Sequence, residues 1–453
     1  MASRALGRVV CSAIFLSLIP ATAFAGSDAP PPEPVAPDIA AAVAHVSPTR
    51  LLADDTRLVR FGTRNTFSET LGKPDRGVYA ARSWLVAQFR AIGKATGGRL
   101  NVALDTYRQP KTERTPRDVE VSSVIATLPG DDPGRGSVVI SSHYDSRNSD
   151  GNDAILDAPG ADDNGSATAV VLEAARALAG SHFPATIVFA CFDGEEQGLY
   201  GSGHYAHGLA AAGTKVEADL NNDIIGSSTG HDGTRAPYEV RLFSEALPAG
   251  SVRERINALG SENDSPAREL ARAIAQIAAA YVPAMHVEQI WRADRFLRGG
   301  DQESFSTEGF PAVRFVEAHE NFDHQHQNVR SENGTKYGDL LEFMDFDYLS
   351  RVAQLNIAAV ATLARAPAAP ETFLVNRALG YATTLRWNPV RGAASYQVVW
   401  RETSEPAWTH ARNAGNVGSV TLDGLSKDDY IFGVRALDSA GHGGVAAYPT
   451  PVK

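Results

Sequence analysis

The sequence predicts an α/β fold with a mostly parallel mixed sheet, helices on both of its faces, and a small all-β sandwich domain after it. Three apolar runs have the length of buried strands: residues 138–142, 186–190 and 312–316. Segments with helical periodicity lie between or after them, at residues 167–178, 265–281 and 346–363. Strands that alternate with helices along a chain build parallel sheets. Short alternating runs such as residues 383–387 and 396–400 indicate the β-domain.

The first segment has the pattern of a secretory signal peptide. Arg4 and Arg8 precede an apolar run over residues 9–20, and residues 23–25 (AFA) offer an A-x-A cleavage site. The run is shorter than the roughly 20 apolar residues that a membrane-spanning helix needs. We therefore expect residues 1–25 to be removed, leaving an exported, periplasmic or extracellular protein without a membrane span.

Changes in composition divide the rest of the chain. Residues 26–37 form a proline-rich leader, for which the composition predicts disorder. A block of catalytic size covers residues 38–365, and residues 366–370 (APAAP) form a linker. Residues 371–453 make up the β-domain. Because each part has enough apolar residues for its own core, we expect the two to fold independently.

The net charge indicates which class of partner is disfavoured, and the cysteine content indicates whether disulfides can form. The 453-residue chain has a formal net charge of -11 and no long basic run, which argues against nucleic acid as a partner. Of its two cysteines, Cys11 lies in the signal segment, so Cys191 is left without a disulfide partner. The acidic residues could instead serve metal ions.

Most of the potential metal ligands are expected at or near the carboxyl end of a strand, where open α/β sheets build their sites. Asp162 and Asp163 lie in a turn before the predicted helix at residues 167–178. The candidates are His143 and Asp145, Asp162 and Asp163, Glu195 and Glu196, Asp223, and His324 and His326. Singly, an aspartate before a helix can be a cap, and a glutamate pair can be a solvated helix start. Together, carboxylate and imidazole donors without a cysteine cluster favour two zinc ions that share a carboxylate. One glutamate of the adjacent pair would then bind metal and the other would move protons.

The motifs HYD, GADDNGSA, DGEEQG, NND and HQHQ, between about residues 121 and 330, resemble those of peptidase family M28. This family of co-catalytic zinc peptidases includes secreted bacterial aminopeptidases. The resemblance implies the zinc ligands, with Asp163 bridging both ions: His143 and Asp223 on one ion, Glu196 and His326 on the other.

The resemblance also implies that Glu195 is the general base, which deprotonates a metal-bridging water and later protonates the leaving amine. Asp145 follows His143 by two residues and is expected to accept the free ring N–H of that histidine. Asp162 is expected to be a cap or a support rather than a ligand. The chain departs from the family at Gln302, where a histidine is common. His324 remains an alternative ligand to His326.

The β-domain resembles fibronectin type III, because Trp387, Tyr396, Leu425 and Tyr430 stand where that fold buries its core. Its partner is left unknown. The leading function is a secreted two-zinc aminopeptidase that acts on peptides. Three alternatives stay open: a carboxypeptidase of the same family, a transferase of the glutaminyl-cyclase type, and a non-catalytic binding protein.

Overall fold

The structure is a computed structural model that describes residues 29–70, 72–248, 250–375 and 378–452. The predicted signal segment, residues 1–25, lies outside the described residues. None of the helices in the described ranges is long and apolar enough to cross a membrane.

The helices of the described residues are named in chain order. They are α1 (Pro37–Ala44), α2 (Pro48–Val59), α3 (Val78–Ala95), α4 (Ala167–Leu178), α5 (Glu195–Gly198), α6 (Tyr200–Ala211), α7 (Gly250–Leu259), α8 (Pro266–Tyr281), α9 (Gln302–Thr307) and α10 (Phe346–Arg365).

The strands are named in the same way. In the larger part of the chain they are β1 (Asn101–Gln109), β2 (Val119–Leu128), β3 (Ser137–His143), β4 (Thr186–Phe192), β5 (Val216–Asn222), β6 (Glu239–Ser244), β7 (His286–Ile290), β8 (Ala312–Glu317), β9 (Arg330–Glu332) and β10 (Thr335–Tyr337). The C-terminal part contains β11 (Thr372–Leu374), β12 (Ala382–Trp387), β13 (Ser395–Glu402), β14 (His410–Gly415), β15 (Ser419–Asp423), β16 (Tyr430–Leu437) and β17 (Thr450–Pro451).

A mixed sheet of eight strands dominates the described residues, in the order β1-β2-β4-β3-β5-β8-β6-β7. The pairs β3/β4, β3/β5, β5/β8 and β6/β7 are parallel. The pairs β1/β2, β2/β4 and β6/β8 are antiparallel. Four of these seven pairings are parallel, so the predicted mostly parallel mixed sheet is confirmed.

Helices cover both faces of this sheet because alternate side chains of each central strand face opposite sides. Val138 and Ile140 of β3 belong to the large core that also contains α4 and α10. Val139 between them packs in a second core with Ala206 of α6 and Phe305 of α9. The three predicted strands and three predicted helices are all present, with ends shifted by at most two residues.

The C-terminal strands form two separate sheets, β15-β12-β11-β17 and β14-β13-β16. A core of their own lies between them, built around Trp387, Tyr396 and Trp400. The predicted strand runs at residues 383–387 and 396–400 are confirmed as parts of β12 and β13.

Buried polar contacts join this C-terminal part to the region around α8. Arg401 of β13 lies 2.6 Å from Asp264, and both side chains are almost fully buried. The indole N–H of Trp408 donates to Glu269 at 3.0 Å. Separating the parts would break both contacts, although Arg272 of α8 would still lie 3.7 Å from Asp264 and pair with Glu269. The independent folding of the two parts stays a prediction.

The disorder predicted for the proline-rich leader is wrong for the residues next to α1. Glu33 is buried, and its carboxylate accepts hydrogen bonds from Arg435 and from the backbone N–H of Gly443, both at 3.0 Å. The backbone N–H of Ala36 donates to the Tyr281 hydroxyl at 2.8 Å. Composition could not show that these polar groups find buried partners far along the chain.

Candidate metal centre

The topology brings the predicted site residues to one edge of the sheet. β4, β3, β5 and β8 are parallel neighbours, so their carboxyl ends meet there. His143 is the last residue of β3, and Asp223 directly follows β5. Glu195 and Glu196 begin α5 after β4, Asp163 lies in the turn Ala161–Ser166 before α4, and His326 lies in the loop after β8.

Asp163 lies between the two histidines and offers one carboxylate oxygen to each. Its Oδ1 is 3.2 Å from His143 Nε2, and its Oδ2 is 2.9 Å from His326 Nε2. On the first side, Asp223 Oδ1 is 3.4 Å from His143 Nε2. On the second side, Glu196 Oε2 is 3.1 Å from His326 Nε2. This is the arrangement that two cations sharing one carboxylate require.

Two groups of possible ligand atoms result, each with all its atoms within 4.8 Å of one another. One group is Asp163, Glu196 and His326, and the other is His143, Glu195 and Asp223. Glu195, predicted as the base, thus lies beside the first histidine, with its Oε2 3.9 Å from His143 Nε2. Glu195 lies farther from His143 Nε2 than Asp163 and Asp223 do. Its role as a base rather than a ligand stays a prediction.

The chemistry of these residues fits zinc. In the described part of the chain, His143 Nε2, Glu196 Oε1 and Asp223 Oδ1 are buried and have no hydrogen-bond partner. Buried donors and acceptors of this kind are rare unless something else satisfies them. Imidazole nitrogen and carboxylate oxygen are ligands that zinc accepts. One cation beside His143 and Asp223 and a second beside Glu196 would satisfy these atoms.

Asp145 contacts both His143 and the glutamate pair. The ring Nδ1 of His143 lies 3.1 Å from the backbone carbonyl of Asp145 and 3.4 Å from its carboxylate. The carboxylate also accepts hydrogen bonds from the backbone N–H groups of Glu195 and Glu196, at 3.3 and 3.2 Å. Asp145 thereby holds the turn that carries both glutamates, because free N–H groups at a helix start attract a carboxylate.

Asp162 points away from the two histidines, as expected of a support rather than a ligand. Its Oδ1 accepts a hydrogen bond from the backbone N–H of Gly226 at 2.7 Å. The turn itself is held by Asp339, a residue that the sequence did not single out. The Asp339 carboxylate accepts from the backbone N–H groups of Asp162 and Asp163, both at 2.7 Å. The bridging position is therefore fixed from a distant loop.

Arg314 is a second residue that the sequence reasoning missed. Its side chain is fully buried in β8, with Nη2 2.8 Å from Asp223 Oδ2 and Nη1 2.6 Å from Asp294 Oδ2. Gln302 donates to the same oxygen of Asp294 at 2.7 Å, which places it outside the metal centre. The sequence did offer a sign of this contact, because Arg314 stands inside the apolar run AVRFVE. An arginine in a buried strand needs a buried carboxylate as its partner.

The loop HQHQ carries both candidate histidines, and their rings face different neighbours. His326 faces the cluster, whereas the ring of His324 stacks on Phe343 with centroids 3.6 Å apart. Burial lowers the pKa of His324. Of the two histidines, the structure therefore brings only His326 to the other site residues.

Electrostatics at the site follow from burial and from close carboxylates. Burial raises the pKa of Glu195 well above its usual value, and Asp223 and Glu196 add to the effect. Burial alone would also raise the pKa of Asp163, but the two histidines outweigh it and hold that pKa well below its usual value. Carboxylates packed this closely call for compensating cations.

A cavity of about 370 Å³ opens onto the centre. Asp163, Glu195, Glu196, Asp223 and His326 contribute to its wall. Its volume lies at the lower end of the roughly 300–1,000 Å³ of typical ligand pockets. A short stretch of a substrate can therefore reach the possible ligand atoms directly.

Solved structures share this architecture. The LapA aminopeptidase of Legionella pneumophila superposes with a TM-score of 0.53 and 19% identity, over 72% of this chain and 74% of that one. An aminopeptidase from Aneurinibacillus sp. strain AM-1 superposes with a TM-score of 0.51 and 15% identity, over 72% of this chain and 96% of that one. At these identities the similarity shows the fold.

Sequence comparison shows the family. A probable zinc metalloprotease of Leptosphaeria maculans is 45% identical over 420 residues, which are 91% of this chain and 97% of the relative. A probable zinc metalloprotease of Pyrenophora tritici-repentis is 43% identical over 93% of this chain and 88% of the relative. The model of peptidase family M28 matches residues 123–344, the range that contains every residue of the two ligand groups. The chain belongs to peptidase family M28.

Proposed function

We propose that the protein is a two-zinc aminopeptidase that removes N-terminal residues from peptides. The observation that carries this proposal is the position of Asp163, which offers one oxygen to each of two histidines. His143 and Asp223 would hold one zinc ion, Glu196 and His326 the other, and Asp163 both. When bound, such a pair supplies Lewis acidity to the scissile carbonyl and lowers the pKa of water.

Glu195 would move the proton. It lines the cavity and belongs to the group of His143 and Asp223, but its Oε2 is 3.9 Å from His143 Nε2, whereas its neighbour Glu196 contacts His326. In the proposed reaction Glu195 accepts a proton from water and returns it to the leaving amine. Asp145 positions Glu195 by accepting the backbone N–H groups of the glutamate pair. A base so held stays close to the scissile bond.

Two observations favour cleavage at a peptide end. The site lies in a cavity of about 370 Å³, which admits a short segment of peptide. The solved proteins of the same fold described above are aminopeptidases. We extend that activity to this chain as part of the proposal.

A panel of substrates tests the function. The zinc-loaded protein is given a leucine anilide, the same anilide with an acetylated amino group, and a peptide blocked at its C-terminus. We expect turnover of the free anilide and the C-blocked peptide, no turnover of the acetylated anilide, and two zinc ions per chain by elemental analysis. Turnover that requires a free C-terminal carboxylate would identify a carboxypeptidase, and cyclisation of N-terminal glutamine would identify a transferase.

We further propose that the protein is exported after cleavage at residue 25, and that residues 38–365 and 371–453 are a peptidase domain and a fibronectin type III-like domain. The two separate C-terminal sheets and their core around Trp387 support the second domain. N-terminal sequencing of protein recovered outside the cytoplasm should begin at Gly26. Recovery of the intact N-terminus would contradict the export proposal.

A further inference from the structure

Arginines surround the metal centre on the walls of its cavity. Arg114 comes from the loop between β1 and β2, Arg147 from the loop after β3, and Arg298 from the loop between β7 and α9. A fourth, Arg295, lines the same cavity. Four arginines from three separate loops therefore line one pocket.

Three of these arginines keep an uncompensated charge. Arg295 is paired, since its side chain lies 3.1 Å from Asp294 and 2.8 Å from Glu320. In the described part of the chain, the other three have no carboxylate oxygen within 4.0 Å. Arg147 donates instead to the backbone carbonyls of Asn148 and Ser149, at 3.1 and 3.3 Å. Those neutral contacts direct its guanidinium without neutralising it.

Five acidic residues also line the cavity, namely Asp163, Glu195, Glu196, Asp223 and Glu303. None of their carboxylate oxygens lies within 4.0 Å of these three arginines. Asp163 and Glu196 face His326, and Asp223 faces His143 and Arg314. On the proposed function, two divalent cations also lie among these carboxylates. The ions and the arginines together then exceed the acidic side chains that line the cavity, so its field favours an anionic group on the substrate.

We propose that Arg114, Arg147 and Arg298 form a carboxylate-binding subsite beside the metal centre. The subsite would select peptides with a carboxylate close to the cleaved bond. Guanidinium groups suit this task, because their planar N–H donors match the two oxygens of a carboxylate. The inference rests on the proposed peptidase function and adds a substrate class to it: acidic peptides, or short peptides with a free C-terminus.

The size of the cavity limits where the carboxylate can lie. The arginines and the possible zinc ligands share one space of about 370 Å³. A carboxylate that contacts the arginines must therefore belong to one of the residues next to the cleaved bond. It can be an acidic side chain or the terminal carboxylate of a dipeptide.

Matched pairs of substrates distinguish these sources. Leu-Ala against Leu-Ala-amide tests the terminal carboxylate, Leu-Glu-amide against Leu-Gln-amide tests the second side chain, and Glu-Ala-amide against Gln-Ala-amide tests the first. We expect kcat/KM of the wild type to favour the carboxylate in at least one pair by about tenfold, as for one hydrogen-bonded charge. The preference should shrink in high salt, because the cavity is open to solvent.

Variants assign the preference to the subsite. The double variant Arg147→Gln, Arg298→Gln should prefer the peptide with the carboxylate by about twofold or less. The preference is the ratio of kcat/KM for that peptide to kcat/KM for the neutral peptide of the same pair, both measured with the same variant. Arg292→Gln is the control: Arg292 is exposed on the same loop as Arg298, and its side chain contacts Phe296 outside the cavity. It should keep the wild-type preference.

Calorimetry of product binding separates this inference from the peptidase function. Zinc-loaded protein should bind glutamate α-amide about tenfold more tightly than glutamine α-amide, or alanine about tenfold more tightly than alanine amide, and the double variant should lose this difference. If the wild type cleaves none of the peptides, the peptidase proposal fails and the binding comparison alone decides the subsite. Equal use of both members of every pair together with equal binding, or an undiminished preference in the double variant, overturns the subsite.

Discussion

Replacing Arg314 by methionine should weaken both the fold and the metal centre. Arg314 is fully buried, and its guanidinium lies between the carboxylates of Asp223 and Asp294. It occupies the Oδ2 side of Asp223, while Oδ1 of the same carboxylate faces His143 at 3.4 Å. Methionine has a similar length but no charge, so the change removes the cation without opening a large cavity. Asp223 then loses the contact that orients it toward the proposed zinc ion.

The size of the effect follows from the remaining contacts. Removing one partner of a buried ion pair costs about 3–5 kcal/mol. Asp294 keeps hydrogen bonds from Gln302 at 2.7 Å and from Arg295 at 3.1 Å, which limits its share of the cost. Asp223 would recover charge compensation only when zinc is bound. We therefore expect the free energy of unfolding to fall by about 3 kcal/mol with zinc and by about 5 kcal/mol after chelation.

Urea unfolding followed by circular dichroism, with and without a chelator, measures both values, and elemental analysis measures zinc per chain. Arg314→Lys should show an intermediate loss, because an ammonium group restores charge but lacks the fork that reaches two carboxylates. Arg292→Met, at an exposed position, is the control and should match the wild type. Wild-type stability and zinc content in Arg314→Met would refute the reasoning that this guanidinium holds Asp223.

Three further changes test the remaining assignments. Glu195→Gln should leave the zinc content unchanged and lower kcat by at least about 100-fold, as expected for the loss of a general base. Loss of zinc from this variant would instead identify Glu195 as a ligand. Asp163→Asn should lower the zinc content at both positions, because an amide carries no charge to offset two cations. Asp162→Asn is the control and should lose less zinc. Equal loss of zinc from the two variants would contradict the bridging role of Asp163. Truncation after Arg365 removes Arg401, which pairs with the buried Asp264, and Trp408, which donates to Glu269, and it leaves Arg272 3.7 Å from Asp264. Calorimetry should therefore show a lower melting temperature, and an unchanged one would mean that the parts fold independently.

The sequence by itself determined three strands of the eight-stranded sheet, three of the helices that cover it, and a set of candidate site residues. Apolar runs of strand length and helices with helical periodicity are local patterns, and their bounds agree with β3, β4, β8, α4, α8 and α10 to within two residues. His143, Glu195 and Glu196 closely follow two of those apolar runs, and parallel strands bring their carboxyl ends to one edge. The choice of His143, Asp163, Glu196, Asp223 and His326 among the candidates came from the resemblance of their motifs to peptidase family M28.

Only the tertiary structure decided what holds these residues in place. Asp339 fixes the turn of Asp163 from 176 positions away, and Arg314 contacts Asp223 from a neighbouring strand. The leader and the C-terminal part likewise find buried partners, as Glu33 does in Arg435. A local pattern records propensity and periodicity but not which distant polar groups meet. That choice is made when the chain packs, because a buried charge must find a partner wherever the fold brings one within reach.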